Sequence, residues 1–119
     1  MAQFECTFPS AYSFDDILQY FHAHLTKNHG EYTGGSDYVS GRVRVAVRVY
    51  ERYSVMGDNY LSLTVTLVND GGDTFASAIS AAGRGNGLGV VFNWGEDKFL
   101  EIFSDGANMF EGMKVLKKG

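Results

Sequence analysis

The chain has 119 residues, with ten Lys and Arg against fourteen Asp and Glu, for a formal net charge of -4. Apolar residues make up 45% and charged residues 20%, ordinary usage for one globular domain, which excludes a disordered, collagen-like or low-complexity chain. A single cysteine excludes an internal disulfide framework, and no apolar run approaches the roughly 20 residues of a membrane span.

Phe4, Cys6 and Phe8 alternate with Gln3, Glu5 and Thr7, the period of a half-buried strand over 3–8 that Pro9 stops. The amino terminus has no basic stretch followed by an apolar one, so no secretory leader is expected. With Cys6 as the one thiol, the expected home is the cytoplasm. Ser13 and Asp16 stand in the position of a capping box, with Asp for the commoner Glu. Phe14, Ile17, Leu18, Phe21 and Leu25 then recur at helical spacing, predicting a helix from Phe14 to Lys27. Asp15 and Asp16 in its first turn and Lys27 in its last match the macrodipole, and Asn28 and Gly30 terminate it. Gly30, Gly34, Gly35 and Gly41 predict a loop over 30–41, with at most a short strand near Glu31–Thr33.

Arg42 to Tyr53 reads as the clearest strand. Val43, Val45, Val47 and Val49 form one face, and Arg42, Arg44, Ala46, Arg48, Tyr50 and Arg52 form the other. Burying unpaired arginines costs more than burying valines returns, so the valines are predicted to face the core. Met56-Gly57-Asp58-Asn59 turns the chain into a strand from Tyr60 to Val68 that points Leu61, Leu63, Val65 and Leu67 inward. Asn69-Asp70-Gly71-Gly72 is a hairpin signal, and the next strand, Asp73 to Ala82, is expected to bury Phe75 and Ile79. Gly83 to Gly89 reads as a loop and Val90–Phe92 as a short strand. A second helix opens at Gly95-Glu96, with Asn93 as its cap, and presents Phe99, Leu100, Phe103, Ala107 and Phe110 on one face. Gly106 is expected to end or kink it. The basic tail Lys114–Gly119 is expected to fray, which leaves one domain over 1–113 and a tail over 114–119.

The order is strand, helix, four strands, helix. Short turns between consecutive strands force an antiparallel meander, and two amphipathic helices cover one face. The expected fold is α+β, a two-layer sandwich with an antiparallel sheet of about five strands. The element order is that of a TATA-binding-protein half-domain, an analogy that carries no function.

Three stretches together carry a resemblance: Ala46-Val47-Arg48-Val49-Tyr50-Glu51-Arg52-Tyr53-Ser54, Asn59-Tyr60-Leu61-Ser62-Leu63-Thr64-Val65-Thr66-Leu67, and Asn93-Trp94-Gly95-Glu96 followed by Phe99-Leu100. The chain resembles a family of small bacterial proteins known only as a domain of unknown function. The resemblance implies a bacterial cytosolic single domain, and it implies no activity and no catalytic residue.

The arginine face is the first candidate site. Arg44, Arg48 and Arg52, with Tyr50 among them and Tyr60 on the next strand, suit a carboxylate or phosphate ligand, or a stacked single strand of nucleic acid. The plainer reading is a solvated face paired with acidic neighbours, or one buried between two copies. The pI near 5.2 weighs against nucleic acid. His22 and His24 diverge by about 200° on a helix and do not converge on a metal, so they read as surface histidines. The glycine run fits no dinucleotide or Walker register, and Cys6 reads as a buried small hydrophobe. Trp94 lies between a strand and a helix, as an interface anchor or a packing residue.

The expected function is therefore a non-catalytic binding or protein-interaction module, with a second copy in a homodimer, another protein or a small molecule as partner, and with Arg44, Arg48, Tyr50, Arg52, Tyr60 and Trp94 as the ligand- or partner-binding residues. One alternative is a small-molecule carrier or enzyme whose pocket is lined by Phe21, Phe99, Phe103 and Phe110. Another is single-stranded nucleic-acid binding on the Arg/Tyr face. No cofactor, metal or membrane partner is expected, and no nucleophile–base set can be nominated.

Overall fold

The computed structural model describes residues 2–55, 58–82 and 94–119, the side chains of 94–97 excepted. In chain order the elements are β1 (Ala2–Phe8), α1 (Phe14–Lys27), β2 (Glu31–Ser40), β3 (Val43–Ser54), β4 (Asn59–Asn69), β5 (Thr74–Ala82), α2 (Trp94–Ala107) and β6 (Lys114–Lys118). The strands make one six-stranded antiparallel sheet in the order β2-β3-β4-β5-β1-β6. Both helices pack on one face of it, so the fold is α+β in two layers as expected, with six strands instead of about five.

The core follows the two periods written in the sequence. Phe4, Cys6 and Phe8 of β1 and Leu61, Leu63, Val65 and Leu67 of β4 are buried. The Ser13 hydroxyl accepts the Asp16 backbone N–H at 3.0 Å, and α1 buries Phe14, Ile17, Phe21 and Leu25. From α2 come Phe99, Phe103 and Ala107. Phe21 stacks on Phe103 with centroids 4.3 Å apart, and Phe8 meets Phe110 edge-on at 4.8 Å. These rings fill the space between the layers by packing on one another, and each contributes about 2 kcal/mol through burial.

The face assignment of β3 is inverted relative to the sequence reading. Ala46 and Tyr50 are buried on the helix side, and Val45, Val47 and Val49 lie half-buried on the opposite side. The cause is register. Ala46 pairs with Leu67 and Tyr50 with Leu63, so the arginine side of β3 shares the helix face with the inward leucines of β4. Arg44 and Arg48 escape the burial penalty because they are paired, with Asp15 of α1 and Asp37 of β2. Arg44 Nη2 lies 2.7 Å from Asp15 Oδ1 of α1, and its guanidinium sits 4.4 Å above the Phe14 ring.

On β5 the inward residues are Thr74, Ala76, Ala78 and Ser80, while Phe75 and Ile79 lie half-buried on the open side. Small side chains belong under α2, whose Phe99 and Phe103 occupy the space above them. Among the described residues the buried Ser80 Oγ has no hydrogen-bond partner.

The glycine-rich stretch over 30–41 is an edge strand. β2 pairs with β3 from Glu31↔Glu51 to Ser40↔Val43, with a bulge between Tyr32 and Gly34. An edge strand that buries almost nothing shows no apolar alternation, so its glycines dominate the reading. Gly35 is there for close approach, since a Cβ would sit 2.3 Å from the Val47 carbonyl oxygen and 2.9 Å from Arg48 Cδ. Gly106 stands one residue before the end of α2 at Ala107, where the sequence places a helix end. A Cβ on it would come within 2.9 Å of the His24 ring, so it sets the contact between the helices.

The basic tail is ordered as β6. It pairs with β1, and the backbones of Gln3 and Gly119 exchange hydrogen bonds at 3.0 and 2.9 Å. Pairing satisfies the backbone edge that β1 would otherwise expose. The predicted turn residues Met56 and Gly57, the glycine run Gly83–Gly89, the short strand Val90–Phe92 and the cap Asn93 lie outside the described residues.

Candidate functional site

The structure separates the predicted site residues. Alternation along β3 sends Arg44, Arg48, Tyr50 and Arg52 to the helix side, whereas Tyr60 of β4 stands on the open side with its ring 5.3 Å from that of Tyr53. Tyr50 is only 1% exposed, so it has no ring face to offer a base. Arg44 ties the sheet to the first turn of α1, and its guanidinium holds the Asp15 carboxyl below the usual carboxylate range. Arg52 lines a hollow at the end of the sheet with His29, Glu31, Glu51, Tyr53 and Tyr60. Trp94 opens α2, and its side chain lies outside the described residues.

Arg48 and Tyr50 do converge, in a groove between α1 and the β2–β3 edge. The groove has a volume of about 410 Å³ and is lined by Leu18, Gln19, His22, Ala23, Tyr32 and Arg48. At its floor the Tyr50 hydroxyl lies 2.9 Å from His22 Nδ1. The rings of His22, Tyr32 and Tyr50 stand 5.4 to 5.8 Å apart. Burial pushes the Tyr50 phenol up to about 12, so it stays an O–H at neutral pH. Arg48 crosses Gly35 and donates to the carbonyls of Val47 and Ser36 at 2.9 and 3.3 Å. Its Nη2 meets both carboxylate oxygens of Asp37, at 3.0 and 3.2 Å.

His22 is the groove residue that sequence reasoning missed. The two histidines diverge as their spacing requires; His22 is exposed, as expected, and His24 is half-buried. His22 turns to the sheet, and His24 Nε2 donates to the Ile102 carbonyl at 2.9 Å. The sequence carries no signal for it, because its pattern puts Tyr50 on the face away from the core, and a buried hydroxyl that needs a partner becomes visible only with the register of β3.

The open face of the sheet is the second candidate surface. Across its centre run Val45, Val47 and Val49 of β3, Thr64, Thr66 and Val68 of β4, and Phe75 and Ile79 of β5, all half-buried. On the open side, from Val43 to Val49 of β3 and along the whole of β4 and β5, no side chain is charged. Tyr38, Tyr53 and Tyr60 surround this field, exposed by 63%, 48% and 60%.

Other chemistry finds little footing. Burial pushes the Cys6 thiol up to about 12, which leaves no nucleophilic thiolate at neutral pH. Among the described residues, no group of three or more His, Cys, Asp or Glu side chains is placed to hold a metal ion. No described helix is long and apolar enough to cross a membrane.

Neither a curated protein nor a solved structure matches the chain. A family model does, over residues 1–111, from β1 to just beyond α2, and on that match the chain belongs to the family of unknown function DUF6054.

Proposed function

We propose that this protein is a non-catalytic interaction module that self-associates, two copies packing their open sheet faces together. The observation that carries the reading is the uncharged field of Val, Thr, Phe and Ile on the side of the sheet without helices. A field without charge offers a foreign partner no complementary sign to recognise, and it is compatible with itself under two-fold symmetry. The uncharged field on β3, β4 and β5 is about half of the face, and the whole face, six strands about 4.8 Å apart and on average roughly 30 Å long, presents on the order of 800 Å². That is about the area each partner of a stable pair buries. Exposed tyrosines at the border suit the rim of such a contact. Facing sheets pack about 10 Å apart with strands within about 30° of one another. The lone Cys6 thiol fits a reducing compartment, and we take the module to work in the cytoplasm.

Sedimentation velocity tests this at micromolar concentration. The wild-type chain is expected at twice its mass of 13.1 kDa, and Val47→Lys or Thr64→Lys is expected to run as a folded monomer. A wild-type monomer, or a dimer indifferent to both substitutions, would overturn the reading.

A further inference from the structure

The groove under α1 lies on the helix side of the sheet, away from the proposed interface, and its chemistry is of a different kind. Its volume of about 410 Å³ falls in the range of small-molecule sites. Among the described residues no carboxylate lines it. The Tyr50 hydroxyl has His22 Nδ1 as its hydrogen-bonding partner at 2.9 Å, and a buried hydroxyl hydrogen without an acceptor is costly. With the ring hydrogen on Nε2, the hydroxyl has Nδ1 as its acceptor and the Nε2–H is left as a donor. Among the described residues no acceptor meets Nε2. Tyr50 thus acts as a positioning residue that turns His22 into a fixed donor.

Arg48 supplies the charge beside this donor. Its Nη1 is spent on the Val47 and Ser36 carbonyls, while its Nη2 holds the carboxylate of Asp37. Asp37 shows that this guanidinium takes a carboxylate. The Arg48 side chain is 18% exposed and that of Asp37 is 57% exposed, so solvent reaches the pair from the carboxylate side, where another carboxylate can take its place. Tyr32, 46% exposed, adds a flat apolar wall.

We propose that this groove binds a small planar carboxylic acid, aromatic or unsaturated. Its carboxylate replaces Asp37 on Arg48 and accepts the Nε2–H of His22, and its flat body lies against Tyr32. Charge-assisted bonds to two fixed donors supply the selectivity for an acid over its neutral analogue.

Titration of the intact protein with benzoate, followed by amide and imidazole nitrogen NMR, tests the proposal. Benzoate is expected to give saturable shifts at Leu18, His22, Ala23 and Tyr32. Benzamide, the neutral analogue of the same shape, is expected to bind at least tenfold more weakly. Arg48→Met is expected to weaken benzoate at least tenfold. Asp37→Asn, a surface change, is expected to tighten it severalfold by releasing Arg48. Tyr50→Phe is expected to weaken it and to alter the His22 ring-nitrogen shifts that report the tautomer. Absence of saturable shifts with benzoate, equal binding of benzamide, or an Asp37→Asn variant that binds no tighter would each overturn the proposal. None of these results depends on the oligomeric state read from the opposite face.

Discussion

On β4 the side toward the helices carries Leu61, Leu63, Val65 and Leu67, all buried, and the other side carries Tyr60, Ser62, Thr64, Thr66 and Val68, none of them buried. On β3 the contrast is reversed in character. The covered side carries Arg44, Ala46, Arg48 and Tyr50, while Val45, Val47 and Val49 face away from the helices. A sheet covered on one face shows a clean apolar-in, polar-out alternation, whereas strands covered on both faces are apolar on both. The covered side of β3 keeps its polar groups because each has a partner in the helical layer or on β2. The open side keeps valine, phenylalanine and isoleucine although no described element covers it. The difference between the two sides is the physical content of the proposed dimer.

The largest expected effect tests that contrast directly. Leu63→Ala should lower the unfolding free energy by about 2–5 kcal/mol, the usual cost of emptying a buried leucine site. Val49→Ala on the open side, measured in dilute monomer, should cost less than about 1 kcal/mol. Denaturant melts of the two variants decide it, and a loss at Val49 as large as that at Leu63 would show that the open face is already buried within one chain.

A smaller effect sharpens the account of the covered face. Ser80→Ala removes a buried hydroxyl that has no partner among the described residues, so the variant should be more stable by about 1 kcal/mol. A destabilised Ser80→Ala protein would mean that the hydroxyl is satisfied in solution.

The smallest effect belongs to the rim. Arg44 holds the Asp15 carboxyl below its usual range, so Asp15 contributes stability above the unfolded carboxylate value of about 3.9, and this is lost as the pH falls through the lowered folded value. Asp15→Asn should remove that part of the acid sensitivity, and carbon NMR of Arg44→Met should return Asp15 to the ordinary range. High salt should shrink the effect, because both side chains are exposed. An unchanged Asp15 titration in Arg44→Met would remove the ion pair from the account.

Much of the scaffold was legible because it depends on local period. The Phe4/Cys6/Phe8 alternation, the helical spacing from Phe14 to Leu25 and the leucine face of β4 all map onto buried residues. The facing of β3 was not legible, because both of its sides offer residues a core accepts and the choice is made by register with Leu63 and Leu67 on another strand. The rule against buried arginine misled because it assumed unpaired charge, and Asp15 and Asp37 stand 29 and 11 residues away from their partners. The edges β2 and β6 were illegible for a related reason: they bury little, so backbone pairing holds them and side-chain pattern does not announce it. Arg48 and Tyr50 lie beside one groove, but the groove also needs His22, whose link to Tyr50 spans 28 residues.

The central claim, that a second copy covers the open face, is met most directly by isotope-filtered NMR on a mixture of labelled and unlabelled chains. The account predicts intermolecular contacts between the methyl groups of Val47, Val49 and Ile79 of one chain and the Phe75 ring or the same methyls of the other. A mixture at micromolar or higher concentration with no intermolecular contact at these residues, or with contacts confined to the β2 or β6 edge, would contradict it.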